Sequence, residues 1–247
     1  MATVMKTRNL TRNLTRDLGK QLVKMANAQF DSEPFKRLLA TPLTKKRAQM
    51  YVIQRTHWTV NRRDCWAAVQ SVAPFAVKRL IWDHERDELE GDKEKGKPNH
   101  MVMSVNEGVA IGLKAIDFQR IGPTDGCLTC CHAWQNLART SHWLGGLAAS
   151  AALELSNSDQ IPKGGSMSRR MGMKVERELG IPFKKQQSNA EHAVADIAHA
   201  HMLMEVCEEY VTNEYERDLV LKGAAESWAV DRVWKGHLAD FMASIRG

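Results

Sequence analysis

The chain has 247 residues, 43% apolar and 26% charged, and carries a formal charge of +6. That is enough apolar material to bury a core, and it argues against a disordered tail. Only seven prolines occur, no apolar run approaches the length of a membrane span, and alternating β-branched runs bounded by turn signals are nearly absent, so the chain reads as all-α.

Residues 1–28 read as an amphipathic helix, with Leu10, Leu14, Leu18, Leu22 and Met25 recurring every three or four positions. Asp31 and Ser32 punctuate it. Thr44 is placed to N-cap a long helix running to about Val72, and Pro74 opens the next, which carries Leu80, Trp82 and an acidic cluster from Asp83 to Glu90. Gly91, Gly96 and Pro98 break the pattern. A helix from about Asn99 to Ile116 follows, then a Gly122-Pro123 turn, then a long helix from about Asp125 to Ser156 in which Gly145-Gly146 allows close packing or a kink. A loop at 162–166 precedes a short helix ending at Leu179. Two more helices are expected at about 188–214 and 217–245. With no repeat or linker to divide it, the chain is expected to form one helical domain of seven to nine helices. Residues 1–30 are the N-terminal helix, 34–215 the core and 217–245 the C-terminal helix.

The basic excess lies largely in the first 80 residues, at Lys6, Arg8, Arg12, Arg16, Lys20, Lys24, Lys36, Arg37, Lys45, Lys46 and Arg47. A nucleic-acid or membrane footprint is one reading. No helix-turn-helix, zinc finger or aromatic RNA-binding motif accompanies it, so solvated helix faces are the better account. The N-terminus has no apolar signal-peptide core. Five cysteines, with Cys127, Cys130 and Cys131 crowded together, fit a reducing cytoplasm better than a disulfide framework.

The chemistry is concentrated in Glu191-His192-Ala-Val-Ala-Asp196-Ile-Ala-His199-Ala-His201. At about 100° per residue, Asp196 lies about 40° and His199 about −20° from His192, while His201 points away. Imidazole and carboxylate together suit iron, manganese or zinc, and three on one helix face suit a bundle core. A polar surface with scattered histidines is the bland alternative. Facing ligands would decide between them. The acidic cluster offers Glu85, Glu88 and Glu90, with His84 beside them and His100 after the break. On an unbroken helix Glu88 and His100 would stand about 18 Å apart at about 1.5 Å per residue, so the interruption must fold back if they are to share a metal. Glu154 ends a small-residue apolar run, where a carboxylate is costly to bury unless paired or metal-bound.

This order of Glu, His, a Glu closing an Ala/Leu-rich helix, and His-x3-Asp-x2-His resembles the haem-oxygenase-like diiron oxidases and oxygenases, relatives of thiaminase II and pyrroloquinoline-quinone synthase. Phe35-Lys-Arg-Leu-Leu-Ala-Thr-Pro-Leu-Thr44-x9-Gln54 resembles that family's first core segment, and the likeness spans about residues 34–215. It implies a helical bundle of about seven core helices, plus the N-terminal helix, holding two Fe(II) ions with O2 as co-substrate. The implied metal ligands are Glu88, His100, Glu154, His192, Asp196 and His199, with Glu85 the alternative to Glu88 and Glu90 a third choice. Two departures stand out. The Glu-to-His spacing is longer than in the family, and the stretch 54–64 lacks the glutamate several members carry, leaving His57, Asp64 or nothing in its place.

The implied activity is oxidation of a small carboxylate- or amine-bearing substrate, of amino-acid or fatty-acid type, by N-oxygenation, oxidative decarboxylation or C–C cleavage in specialised metabolism. Arg139, His142 and Trp143 are candidate substrate contacts, Arg139 as a bidentate clamp on a carboxylate. The expected partner is a small molecule, without nucleic acid or membrane, and pairing with a second copy is left open. Two alternatives compete. One is a metal-free enzyme like thiaminase II, whose nucleophile is a cysteine, or like pyrroloquinoline-quinone synthase. The other is a non-enzymatic basic helical binding protein.

Overall fold

The computed structural model describes the backbone of residues 2–94 and 96–246, and the side chains of those residues other than 2–12, 194–196 and 198. Lys6, Arg8, Leu10, Arg12 and Asp196 therefore have side chains outside the described residues. Among the described residues the protein is all-α, with eleven α-helices and one 3-10 turn. The helices are α1 (Ala2–Asp31), α2 (Glu33–Ala40), α3 (Lys45–Val72), α4 (Phe75–Glu90), α5 (His100–Ala110), α6 (Asp117–Arg120), α7 (Asp125–Thr140), α8 (Trp143–Asn157), α9 (Met167–Leu179), α10 (Gln187–Tyr210) and α11 (Glu214–Ser244).

Local signals set most boundaries. Thr44 caps α3 by accepting from the Arg47 amide, as its position predicts. Asn99, Thr124, Ser166 and Asn213 do the same for α5, α7, α9 and α11. In α1, Leu18, Leu22 and Ala26 are buried on one stripe.

Two expectations are corrected. The helix expected to reach Ile116 ends at Ala110, because Gly112, at φ 95°, turns the chain. The helix expected from Asp125 to Ser156 is two, α7 and α8. The break falls at Ser141-His142, where Ser141 is extended and His142 caps α8 from its Nδ1. Gly145-Gly146 remains helical and serves close packing instead. A β-carbon on Gly223 of α11 would stand 2.1 Å from the Gly145 carbonyl oxygen, so the two backbones cross in near contact.

Helix α8 is the axis of the molecule. Every residue from Leu144 to Ser156 is buried, with α11, α10, α7, α3 and α1 around it. A helix apolar on all sides belongs inside, and Glu154 is its one charged residue. Helices α3 and α10 pack against α8, and α4 and α5 pack on α3, on α10 and on each other, which gathers polar faces of these helices at one buried point. No helix among the described residues is long and apolar enough to cross a membrane.

Candidate metal centre

Between Glu88 and His100 the chain doubles back. Asp92 and Lys97 form an antiparallel bridge. Gly91 sits at φ 71°, and a β-carbon there would lie 2.5 Å from the Lys97 oxygen and the Pro98 carbon; only glycine fits that turn. The Lys97 amino group binds Glu191 of α10 at 3.0 Å and ties the turn down. As a result Glu88 Oε2 stands 2.8 Å from His100 Nδ1, where an unbroken helix would have kept them about 18 Å apart.

Two sets of three ligand atoms gather, each within 4.8 Å of one another: Glu88, His100 and His192, and His84, Glu154 and His199. The rings of His100 and His192 are 4.5 Å apart, and those of His84 and His199 4.2 Å. Glu88 joins the two sets, its Oε2 toward His100 and its Oε1 3.8 Å from His199 Nδ1. His199 Nδ1 is also 3.9 Å from Glu154 Oε2. One face of α10 thus serves both sets, His192 the first and His199 the second. Asp196 lies between them in the helix, with its side chain outside the described residues.

The imidazoles are held from behind. His192 Nδ1 lies 2.7 Å from the Ser188 carbonyl, and so donates to it and turns Nε2 inward. His84 Nδ1 lies 3.0 Å from Glu85, and its Nε2, buried and without a hydrogen-bond partner among the described residues, faces Glu154 at 3.8 Å. His100 Nδ1 is close to Glu88 but off the line of a good hydrogen bond. Buried imidazole nitrogens aimed at carboxylates without bonding them are a donor set suited to an iron-type cation, so the residues present fit two metal ions.

Counter-charge comes from α3. Arg62 Nη2 donates to Glu154 at 2.6 Å and to the Ser150 carbonyl at 2.7 Å. Arg63 Nη1 stands 2.9 Å from Glu85 and 3.0 Å from Glu88. Burial raises the Glu154 pKa, but Arg62, with His84 and His199, more than reverses this and holds it at about 2. Burial works the same way on Glu88, where Arg63 and His100 win and keep the carboxyl well below its ordinary range.

Of the residues singled out from sequence, Glu88, His100, Glu154, His192 and His199 come together. Glu85 stands behind His84 and against Arg63, and Glu90 is exposed beside Lys93. His57 binds the Ile121 carbonyl and Asp64 faces Gln135, so neither replaces the family's α3 glutamate; α3 presents Arg62 and Arg63 there instead. Gln54 ties α3 to the α6–α7 turn through Gly122 and Thr124. Arg139 and His142 are exposed. Trp143 packs on Tyr210 at the opposite end of α8, eleven residues and about 16 Å from Glu154. None of these three reaches the centre. His84 was missed as a ligand candidate, although its four-residue offset from Glu88 repeats the offset of His192 from Asp196. Arg62 and Arg63 gave no signal, because a basic pair on a long helix is ordinarily solvated.

The five cysteines are buried and free. Burial pushes Cys65 and Cys130 up to about 11 and Cys207 to about 12. A hydrogen bond between Cys127 and Cys131 raises the first and lowers the second.

Comparison with known proteins gives the family and the fold. The family described as "Iron-containing redox enzyme" matches residues 49–232. Three solved structures share the fold at 16% identity. A domain of unknown function with a heme oxygenase-like fold from Shewanella denitrificans has a TM-score of 0.69, covering 92% of this chain and 90% of its own. A CADD-like protein of unknown function from Nostoc punctiforme has a TM-score of 0.66, covering 97% and 100%. A TenA homologue from P. horikoshii has a TM-score of 0.59, covering 92% and 99%. The all-α architecture is therefore heme oxygenase-like. No curated protein is similar enough to count as a relative.

Proposed function

The chain belongs to the family of iron-containing redox enzymes, and from that premise we propose that it is a non-haem diiron enzyme using O2 to oxidise a small carboxylate- or amine-bearing substrate. The observation that carries this reading is the pair of buried three-residue sets meeting at Glu88. One set alone would suit a single ion; two joined by a carboxylate suit two ions close enough to work on one substrate.

Glu88, His100 and His192 would hold one iron, and His84, Glu154 and His199 the other. Asp196, by its place on α10, is the remaining carboxylate for the pair. When bound, the irons supply the O2 chemistry that no side chain can perform. The protein's part is placement. Ser188 and Glu85 fix the orientations of His192 and His84, the Asp92–Lys97 turn delivers His100, and burial of Glu88, His100, Glu154 and His199 keeps bulk water from the centre. Arg62 and Arg63 of α3 balance the carboxylates.

Anaerobic titration with Fe(II), followed by exposure to O2, tests the reading. Two irons per chain and a transient visible band are expected, with His192→Ala and His199→Ala each lowering the iron content. Failure to bind iron, or binding indifferent to both substitutions, would overturn it. Full turnover in chelator would favour a metal-free enzyme.

A further inference from the structure

A cavity of about 30 Å3 opens on the His192 side of the centre, between α3, α10 and α11. Tyr51, Arg55 and Trp58 of α3 line it from one helix face, at offsets of four and three residues. His192 and Asn189 line it from α10, and Lys235 from α11. At 10–15 Å3 for each water-sized atom, the space takes about two such atoms, the size of a carboxylate's two oxygens.

The wall is rich in donors. Arg55 spends Nη1 on Asn189 at 2.8 Å and Nη2 on Glu107 at 3.1 Å, while its Nε is buried without a hydrogen-bond partner among the described residues. The Trp58 Nε1 is buried in the same condition. Lys235 Nζ lies 3.2 Å from Asp231 and sits over the Trp58 and Phe35 rings at 5.6 and 5.5 Å. Arginine, lysine and indole nitrogens only donate, and buried donors left unpaired call for an acceptor. Among the described residues no aspartate or glutamate lines the cavity. The carboxylates that balance its cations stand behind them, Glu107 behind Arg55 and Asp231 behind Lys235. Asp231, whose Oδ1 is buried without a hydrogen-bond partner among the described residues, lines with Trp58 and Lys235 a separate void of about 10 Å3, at the lower limit for a single water. A carboxylate in the main cavity would supply the acceptor that the unpaired Arg55 and Trp58 donors lack.

We propose that Arg55, Trp58 and Lys235 form a seat for a carboxylate group of the substrate, beside His192. This narrows the substrate to a carboxylic acid and rests on the reading of the neighbouring cluster as the reaction centre. It also sets the acid group, rather than the amine of an amino acid, as the handle by which the substrate is held.

The test uses metal-free protein in chelator, with acetate as probe, so that it stands apart from iron binding. The Trp58 indole N–H resonance is identified by its loss in Trp58→Phe. It should move on titration with acetate, but not with acetamide or methylammonium chloride at the same ionic strength. Lys235→Met should weaken the acetate response by about tenfold, the loss expected of one hydrogen bond to a charged group. Trp58→Phe, which keeps the ring and removes only the donor, should weaken acetate binding measured by calorimetry. An acetate response no larger than that of acetamide, or one unchanged in both variants, overturns the proposal. His84→Ala, in the ligand set that does not line the cavity, should lower the iron content and spare the acetate response; loss of acetate selectivity with intact iron binding would remove the seat and leave the metal centre standing.

Discussion

Arg62 and Glu154 form a charge pair 2.6 Å long in the middle of the molecule, with side chains 3% and 7% exposed. Glu154 is the one charge on a helix otherwise sealed in apolar contacts, and it sits among the imidazoles of His84 and His199. Removing one partner of a buried pair leaves an uncompensated charge, at a cost of about 3–5 kcal/mol. Arg62→Met should therefore lower the Tm of the metal-free protein markedly, at about 2–4 °C for each kcal/mol lost. Iron loading should recover part of the loss, since a cation replaces the guanidinium. Arg62→Met with Glu154→Gln should be more stable without metal than Arg62→Met alone. Thermal melts of the unmodified protein and these two variants, with and without Fe(II), check this.

His84 should count as a ligand. On the proposed function, His84→Ala lowers the iron bound after anaerobic loading from about two per chain toward one and leaves the site of Glu88, His100 and His192 filled. Iron analysis after gel filtration reads this directly. A content unchanged from wild type would make His84 a packing residue only.

The contact of Gly223 with Gly145 is a prediction about stability alone. Gly223→Ala places a methyl group 2.1 Å from a backbone oxygen, which neither helix can yield without shifting. Overpacking of this kind costs about 1–3 kcal/mol, and the urea midpoint should fall accordingly.

Glu178, which belongs to neither ligand set, makes the fold sensitive to acid. Its Oε1 accepts from Lys174 at 2.9 Å and Arg177 at 2.7 Å, and its Oε2 from the Leu43 amide at 2.8 Å. Burial raises its pKa, but these three donors outweigh that and bring it down to about 2. A depressed carboxylate pKa gives stability that is fully present above the unfolded value, about 4.3, and is lost as pH falls toward 2. The pair is partly exposed, so its worth is about 1 kcal/mol or less. Glu178→Gln should lower the urea midpoint at pH 7 and flatten its decline between pH about 4.5 and 2.

The reach of the sequence can be read in α10 and α4. The spacing of His192, Asp196 and His199 put three ligand residues on one helix face, because helical rotation is a local property fixed by residue number. The Thr44 cap, the apolar stripe of α1 and the all-α class were legible for the same reason. The break at Ser141-His142 was not, since the polar run there and the glycines after it each offered a place to stop, and packing of α11 against Gly145 kept the glycines helical.

What only the tertiary structure decided is how that face is shared. Gly91 and the Asp92–Lys97 bridge bring His100 back onto Glu88, dividing the α10 face between two ligand sets. The packing of α4 on α3 and α10 adds His84, and α3 supplies Arg62 and Arg63 in place of a carboxylate. Each of these depends on where helices distant in sequence meet. Periodicity along one helix says which side chains point the same way; it carries no information about what stands opposite them.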